Sequence, residues 1–498
     1  MRLAAALTGL AAVVAYLVVA VSRLGYPFTV EWLESNSLVE VHRILTGRPL
    51  YPAPTAGYVP DGYPPLYFAV SAAVARVFGV SYLSLRLVSL VSSLVCFWLL
   101  GRIVQRETGS IAAGMGAAGL FAATYFVTGT WFDTGRVDSL FLALSAGGLY
   151  AARQMRGSRG AVLAGTLLAA AALTKQTGLA EGVVVLAVLA TGPRRRLACI
   201  AALAELAVFG ISTLALGLAS GGWYLYYVFE LMSEHSLALT SFGWFWTALL
   251  TSMGLAAAAA LIGARRVPRE LLAGCAALAV EGCVALVKSG GGSNDMLPAY
   301  LAVALLAGLA LGTGGPVLGA DGPAWRTTVA GVLVLTQSAF LLSRFDPARA
   351  IPTSADRAAD QRLLAGLRAL GGTIAVPADP GLSLLAGMAP AAHQDAAYDV
   401  LRASDQAAIT SFRRSVADAI AGRRFTAIIT NGPGPPLGYP PALTLYYREC
   451  PQPLLAGVPA GVFRPVAGIG LRPAAVWLRR GQGSCQAAVR ILDEGTRP

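Results

Sequence analysis

The chain has 498 residues, of which 56% are hydrophobic and only 13% are charged, and its mean hydropathy is +0.62. Soluble proteins carry roughly 25% charged residues, so this composition excludes a soluble enzyme and indicates an integral membrane protein. The net charge of +12 is typical of arginine-rich cytoplasmic loops in such proteins, and we expect no nucleic-acid partner.

A helix needs about 20 apolar residues to cross the hydrocarbon core. Eleven apolar runs approach or reach this length, and we expect each of them to be a transmembrane helix. In chain order they are 4–22, 82–101, 110–128, 139–152, 160–174, 178–191, 197–219, 244–263, 271–288, 296–312 and 325–343.

Loops rich and poor in arginine alternate between these runs, which predicts the orientation in the membrane. The positive-inside rule places the arginine-rich loops in the cytoplasm, so loops 23–81, 129–138, 220–243 and 289–295 face outward. The apolar run 64–80 would invert this pattern if it crossed, so we expect a helix at the outer interface. An odd number of spans then places residues 344–498 outside.

The composition changes after Phe345 to that of a soluble protein. Alternating patterns predict strands at 373–376 and 425–430 and helices at 355–370 and 404–421. The expected fold is therefore an all-α polytopic membrane domain of about eleven transmembrane helices plus juxtamembrane helices, residues 1–343, followed by a small soluble α/β domain, residues 344–498. Cys450 and Cys485 would share an oxidising compartment, which predicts a disulfide between them.

Carboxylates stand out in the first two outer loops. Glu31 and Glu34 share a face at helical spacing with Leu38, at the start of an interfacial helix whose dipole favours negative charge. A solvated helix start is the alternative explanation. The second loop crowds Asp133, Arg136 and Asp138 at a membrane boundary, where ionisable groups are costly and often functional. Alternatively, Arg136 and Asp138 only stabilise a turn.

Two further outer segments carry polar groups. Lys175 lies in a hairpin at the outer face, against the positive-inside bias, which indicates an anionic partner or ligand; snorkelling is the alternative. The segment 288–298 combines Lys288, Asn294 and Asp295 with three glycines, and a flexible turn is the alternative there. The chain has three histidines, so we expect no multi-histidine metal site, and no motif predicts ATP or NAD binding.

Four motifs in order resemble the GT-C glycosyltransferases, in the bacterial branch related to protein mannosyltransferases and aminoarabinose transferases. They are Arg-Ile-Leu-Thr-Gly-Arg-Pro-Leu-Tyr (43–51), Tyr-Pro-Pro-Leu-Tyr-Phe (63–68), Trp-Phe-Asp-Thr-Gly-Arg-Val-Asp-Ser-Leu (131–140) and Leu-Thr-Lys-Gln-Thr (173–177). The resemblance covers roughly residues 1–310. It implies membrane helices with juxtamembrane helices in the first outer loop.

The resemblance also implies a function in the bacterial inner membrane. A sugar would move with inversion from a polyprenyl-phosphate donor to a glycan, lipid or protein acceptor on the outer face. Glu31, or Glu34 one helical turn later, would match the acidic residue of the family's first outer loop. Asp138 and Asp133 would match the acidic residues of its second outer loop. Lys175 matches a basic hairpin residue. We expect Tyr63, Asn294 and Asp295 to line the substrate pocket.

Elementary chemistry agrees with these assignments. Glycosyl transfer passes through an oxocarbenium-like state in which the acceptor hydroxyl loses a proton, and a carboxylate can take it. The departing phosphate gains charge, so the outer-face cations Arg136, Lys175 and Lys288 are its expected partners. Whether a divalent cation takes part stays open; its ligands would be Glu31, Asp133 and Asp138.

Two other classes of function compete with a transferase. Many spans with ionisable groups also describe a lipid or glycan transporter or flippase, although transporters usually contain two related halves and no internal repeat is evident here. A membrane scaffold that presents residues 344–498 is the weaker alternative, because it leaves the acidic outer loops unexplained.

Overall fold

The computed structural model of the chain describes residues 1–312, 324–463, 466–468, 470 and 472–495. Its N-terminal two thirds are helical. The helices are Arg2–Leu24 (α1), Glu34–Leu45 (α2), Leu66–Phe78 (α3), Tyr82–Thr108 (α4), Ile111–Ala123 (α5), Asp138–Gln154 (α6), Gly157–Ala172 (α7), Gly178–Ala190 (α8), Arg195–Ala219 (α9), Leu239–Gly263 (α10), Arg269–Val287 (α11), Leu297–Leu311 (α12) and Ala324–Ser343 (α13).

Seven of the helices in the described ranges are long and apolar enough to cross a membrane: α1, α4, α9, α10, α11, α12 and α13. The other four runs that the sequence predicts as spans are also helical, as α5 to α8. The 13 residues of α5 rise only about 20 Å, less than the ~30 Å hydrocarbon core. By length and composition, the described residues therefore contain seven candidate membrane helices, as expected of a multi-pass protein.

Small residues let the membrane helices approach closely. A Cβ atom added to Gly119 on α5 would lie 1.9 Å from the Cα atom of Gly9 on α1. Lipid tails are as apolar as leucine, so helices in membranes associate through such close backbone packing. The two glycines set the contact between the first span and the helix that leads into the second outer loop.

The C-terminal part contains a four-stranded sheet with flanking helices. Its elements are Pro347–Ala350 (α14), Ser354–Leu370 (α15), Ile374–Ala375 (β1), Pro380–Leu385 (α16), Gln394–Arg402 (α17), Gln406–Ala421 (α18), Ala427–Thr430 (β2), Leu443–Tyr446 (α19), Tyr447–Glu449 (β3), Ala475–Arg479 (β4) and Cys485–Glu494 (α20). The strand order is β1-β2-β4-β3. The β1–β2 pair is parallel, and the other two pairs are antiparallel.

The sequence patterns predicted β1 and β2 but missed β3 and β4. The expected helix at 404–421 is present as α18, which begins two residues later because Asp405 caps it by accepting the backbone N–H groups of Ala407 and Ala408. Cys450 and Cys485 are joined by a disulfide that links the end of β3 to the start of α20. Of the expected domain 344–498, residues 464, 465, 469, 471 and 496–498 lie outside the described residues.

The C-terminal part packs against the first outer loop. Tyr26, Phe28 and Val30 share one hydrophobic core with α15 and the sheet. The Ala467 N–H donates to the Val30 carbonyl at 2.9 Å, and Thr29 donates to Asp379 at 3.2 Å. The loop that carries Glu31 is therefore held between the membrane helices and the C-terminal sheet.

We predict that Gly119→Ala lowers the thermal stability of the purified protein. The added methyl group would overlap the Gly9 backbone, and overpacking costs about 1–3 kcal/mol. Gly254→Ala is the matched control, since an added Cβ there meets no atom within 4 Å. Equal melting temperatures for both variants would contradict the close α1–α5 contact.

Candidate active site

A buried arginine organises the first outer loop. Arg86, near the start of α4, is 0% exposed, and its guanidinium makes five hydrogen bonds. It donates to Glu34 Oε1 at 3.0 Å and Glu34 Oε2 at 2.7 Å. It also donates to the carbonyls of Arg23, Tyr26 and Phe28 at 3.2, 2.6 and 2.6 Å. The arginine thus ties the end of α1, the following loop and the start of α2 to α4.

Glu34 extends this network to the second outer loop. Its carboxylate accepts the Val30 N–H at 2.9 Å and the Gly135 N–H at 2.6 Å. Burial alone would raise the pKa of Glu34, but the Arg86 guanidinium and these N–H groups lower it below its ordinary value. Each Glu34 oxygen accepts two hydrogen bonds. The carboxylate is therefore a structural anion that joins two loops, and it has no free oxygen for substrate.

Glu31 differs from Glu34, although the sequence placed both in one helix. The helix begins at Glu34, so Glu31 lies before it, in a bridge with Ala467. This corrects the expected shared helical face. Glu31 is 0% exposed; its Oε2 accepts the Leu33 N–H at 3.0 Å, and its Oε1 has no hydrogen-bond partner in the described part of the chain. Burial raises the pKa of Glu31 to about 8, against the lowering effect of Arg136.

Arg136 lies opposite Glu31 because Gly135 is held by Glu34. Its Nε is 3.9 Å from Glu31 Oε2, and its Nη2 donates to the Tyr63 hydroxyl at 3.1 Å. The guanidinium lies 5.5 Å from the Trp131 ring centroid. Arg136 is 4% exposed, and its Nε and Nη1 have no hydrogen-bond partner among the described residues. A planar fork of free donors of this kind fits an oxyanion.

Three of the other expected site residues surround Lys175. Its ammonium group lies 3.4 Å from Asp138 Oδ1 and 3.3 Å from Asp295 Oδ1. Asn294 donates to the same Asp138 oxygen at 3.4 Å. Asp138 Oδ2 has no partner within the described ranges. The second and last outer loops and the α7–α8 hairpin therefore meet, as the sequence led us to expect.

Two expected site residues lie elsewhere. Asp133 is bound on both oxygens by Arg23, each at 2.7 Å, and it accepts the Tyr125 hydroxyl at 2.8 Å. This arrangement makes it a buried structural anion. Lys288 donates to the Met232 carbonyl at 3.1 Å, and within the described ranges it forms no hydrogen bond or ion pair with Glu31 or Lys175. Neither position followed from the sequence, because Arg23 and Met232 come from distant segments.

Sequence reasoning missed a second set of polar groups beside Arg136. Glu40 accepts the Asp61 N–H at 2.9 Å, and Asn36 donates to Asp61 at 2.7 Å. Burial raises the pKa of Asp61 to about 6. From the C-terminal part, His393 packs against Trp32 with ring centroids 5.3 Å apart. Glu40 follows Asn36 at the i, i+4 spacing of a helix, a signal that was available, but His393 is 361 residues from Trp32 in the sequence.

The donor set for a metal ion is sparse. Among the described residues, no group of three or more His, Cys, Asp and Glu side chains could hold a metal ion. Asp133, one of the expected ligands, already binds Arg23. Of the other two expected ligands, Glu31 Oε1 and Asp138 Oδ2 have no hydrogen-bond partner among the described residues.

Comparisons with known proteins identify one group of membrane glycosyltransferases. The family described as dolichyl-phosphate-mannose-protein mannosyltransferase matches residues 62–224, which include Tyr63, Arg136, Asp138 and Lys175. ArnT from Cupriavidus metallidurans bound to undecaprenyl phosphate is similar in structure, with a TM-score of 0.60 and 13% identity over 96% of this chain and 98% of that chain. The apo structure of the same ArnT has a TM-score of 0.57 and 13% identity, over 95% of this chain and 97% of that chain. No curated protein matches the sequence.

The resemblance to the GT-C glycosyltransferases is confirmed. The structural similarity to ArnT spans nearly the whole chain. Within this fold, the matched family region supplies the second outer loop and the α7–α8 hairpin.

We predict that Arg86→Met destabilises the protein strongly. The change would leave Glu34 buried without its cation, and breaking a buried pair costs about 3–5 kcal/mol. Thermal unfolding in detergent would measure the loss, with Arg106→Met, an exposed site on the same helix, as the control. The double variant Glu34→Gln/Arg86→Met should recover part of the stability. A single variant as stable as the control would show that the pair does not hold the loops.

Proposed function

We propose that the chain is a membrane-embedded, inverting glycosyltransferase. It transfers a hexose or pentose from a polyprenyl-phosphate donor to a cell-envelope acceptor on the outer face of the membrane. The observation that carries the proposal is the unpartnered Glu31 Oε1, buried beside the free donors of Arg136. The binding of undecaprenyl phosphate by ArnT, which is similar in structure, supports the class of donor.

Glu31 is the proposed general base. Inversion requires a base on the face of the sugar opposite the leaving group, and a carboxylate there takes the proton of the acceptor hydroxyl as the glycosidic bond forms. The pKa of about 8 makes its conjugate acid weak enough for the carboxylate to bind that proton. Of the two expected candidates, Glu34 is unsuited, because Arg86 and two backbone N–H groups occupy its oxygens.

Arg136 and Lys175 are the proposed partners of the leaving phosphate. The unpartnered Nε and Nη1 of Arg136 can donate to two phosphate oxygens, and Lys175 lies on the same side with Asp138 and Asp295. These cations stabilise the negative charge that develops as the lipid phosphate departs. Asp138 is the proposed second catalytic carboxylate, and Tyr63, Asn294 and Asp295 line the pocket.

The proposed topology has eleven spans, with α5 to α8 crossing along with the seven long helices. Residues 1–343 then form the catalytic membrane domain of a bacterial inner-membrane protein, and residues 344–498 form an outer domain. The alternation of arginine-rich loops supports this orientation. It places the Glu31 and Arg136 groups at the outer face.

A reporter protein fused after Pro498 tests the topology. We expect alkaline phosphatase, which is active only outside the cytoplasm, to be active in this fusion. A matched fusion after Gly192, in an arginine-rich loop, should be inactive. The reverse pattern would remove both the topology and the outward-facing site.

For the chemistry, we predict that Glu31→Gln lowers turnover by about 100-fold or more, the usual effect of losing a general base. The assay uses purified protein with a polyprenyl-phosphate sugar and membrane acceptors. Glu107→Gln is the matched control, because it is a buried carboxylate paired with Arg153 at the other end of α4. Lys175→Ala should raise the apparent KM for the donor or slow departure of the phosphate.

Near-full turnover of both Glu31→Gln and Asp138→Asn would contradict the carboxylate assignment. A transporter would move a lipid-linked sugar across vesicles without breaking the glycosidic bond. Product analysis therefore separates the two classes: a free polyprenyl phosphate and a glycosylated acceptor are expected, whereas an intact donor in the opposite leaflet would favour a transporter.

The pH dependence offers a further test. A general base acts when it is deprotonated, so kcat/KM should rise with pH and approach its plateau above a pKa of about 8, the value that burial gives Glu31. Glu31→Gln should remove this limb of the pH profile. A limb that persists unchanged in the variant belongs to another group.

A further inference from the structure

A cavity lies behind the residues that cover Glu31. It has a volume of about 560 Å³ and is lined by the middle of α10, by the end of α13, by residues 126–130 and by residues 466–468. Arg344 is exposed at its edge, one residue beyond the end of α13. Nothing in the proposed chemistry uses this cavity.

The cavity has a cationic edge and an interior that mixes apolar side chains with the hydroxyl groups of Thr251 and Ser252. Arg344 lies 5.0 Å from the Phe340 ring centroid, and no acidic side chain within the described residues forms an ion pair with it. Arg349 pairs with Asp346 at 3.0 Å, so the edge carries one excess positive charge. Phe126 and Val127 contribute apolar surface.

Its position corresponds to the membrane interface. Arg344 follows directly after the membrane helix α13. On α10, the second membrane helix of the cavity, Trp244 and Trp246 are 45% and 46% exposed, and tryptophan is enriched at the level of the lipid head groups. An exposed arginine beside apolar surface at this level fits the phosphate of a lipid whose acyl chains stay in the bilayer.

The cavity shares its wall with Glu31. A Cβ atom on Gly468, which lines the cavity, would lie 3.1 Å from Glu31 Oε1 and 3.3 Å from the Trp131 ring. The neighbouring Ala467 N–H holds the Val30 carbonyl. An occupant of the cavity would therefore contact the segment that fixes the Glu31 loop from the outer side.

We propose that this cavity binds the phosphate head group of an anionic glycerophospholipid of the outer leaflet, with Arg344 as its main cation. The bound lipid stabilises the segment 466–468 against the Glu31 loop. The site is distinct from the proposed donor-phosphate site at Arg136 and Lys175, because Trp131 and Gly468 lie between them.

Native mass spectrometry of the full-length protein with added phosphatidylglycerol or phosphatidylcholine tests the site. We expect the first phosphatidylglycerol to bind more tightly than phosphatidylcholine and to raise the melting temperature. Arg344→Glu should weaken its binding by about tenfold or more, since a charge-assisted contact is lost and a repulsive one is gained. Val127→Trp should also weaken binding, because it fills the cavity but keeps the arginines.

The control is Arg413→Glu, an exposed arginine on α18 away from this cavity, which should bind phosphatidylglycerol as the unchanged protein does. Equal binding by Arg344→Glu, or no preference for phosphatidylglycerol over phosphatidylcholine, would overturn the proposal. Displacement of phosphatidylglycerol by undecaprenyl phosphate, one for one and lost in Arg344→Glu, would also overturn it by assigning the cavity to the donor. None of these outcomes depends on transferase activity, so the proposal can fail separately from the proposed function.

Discussion

The buried ion pair between Arg86 and Glu34 is the constraint on which the site depends. Two charges at 0% exposure are costly to bury, and only a complete set of hydrogen bonds compensates that cost. Here the arginine binds three carbonyls of the loop after α1, and the glutamate binds N–H groups beside Glu31 and Arg136. The pair thus converts two separate outer loops into one rigid frame, in which Glu31 and Arg136 face each other.

Two neighbouring glutamates consequently have opposite character. Glu34 has a lowered pKa because its partners stabilise the charged form. Glu31, three residues earlier, has a pKa raised to about 8 because burial outweighs the effect of Arg136. A permanent anion suits a structural role, and a carboxylate that titrates near neutral pH suits proton transfer. The C-terminal sheet contributes to this difference, because residues 466–468 cover Glu31 from the outer side.

The sequence was sufficient for the features that depend on local patterns. Hydropathy located the helices from α1 to α13 apart from some ends, and the loop motifs identified Arg136, Asp138, Lys175, Asn294 and Asp295, which do meet. It could not decide between Glu31 and Glu34, since the deciding partners, Arg86 and Gly135, are 52 and 101 residues away from Glu34. Asp133 looked catalytic for the same reason: the pattern shows a carboxylate at a membrane boundary but not the Arg23 that binds it.

The central claim is that Arg136, which faces Glu31, binds the donor phosphate, and a structure of the purified protein with undecaprenyl phosphate tests it most directly. The account predicts a phosphate within hydrogen-bond distance of Arg136 Nε and Nη1, on the side shared with Lys175 and close to the unpartnered oxygen of Glu31. A phosphate bound at Lys288 or at Arg344, with the Arg136 donors still unoccupied, would contradict the account.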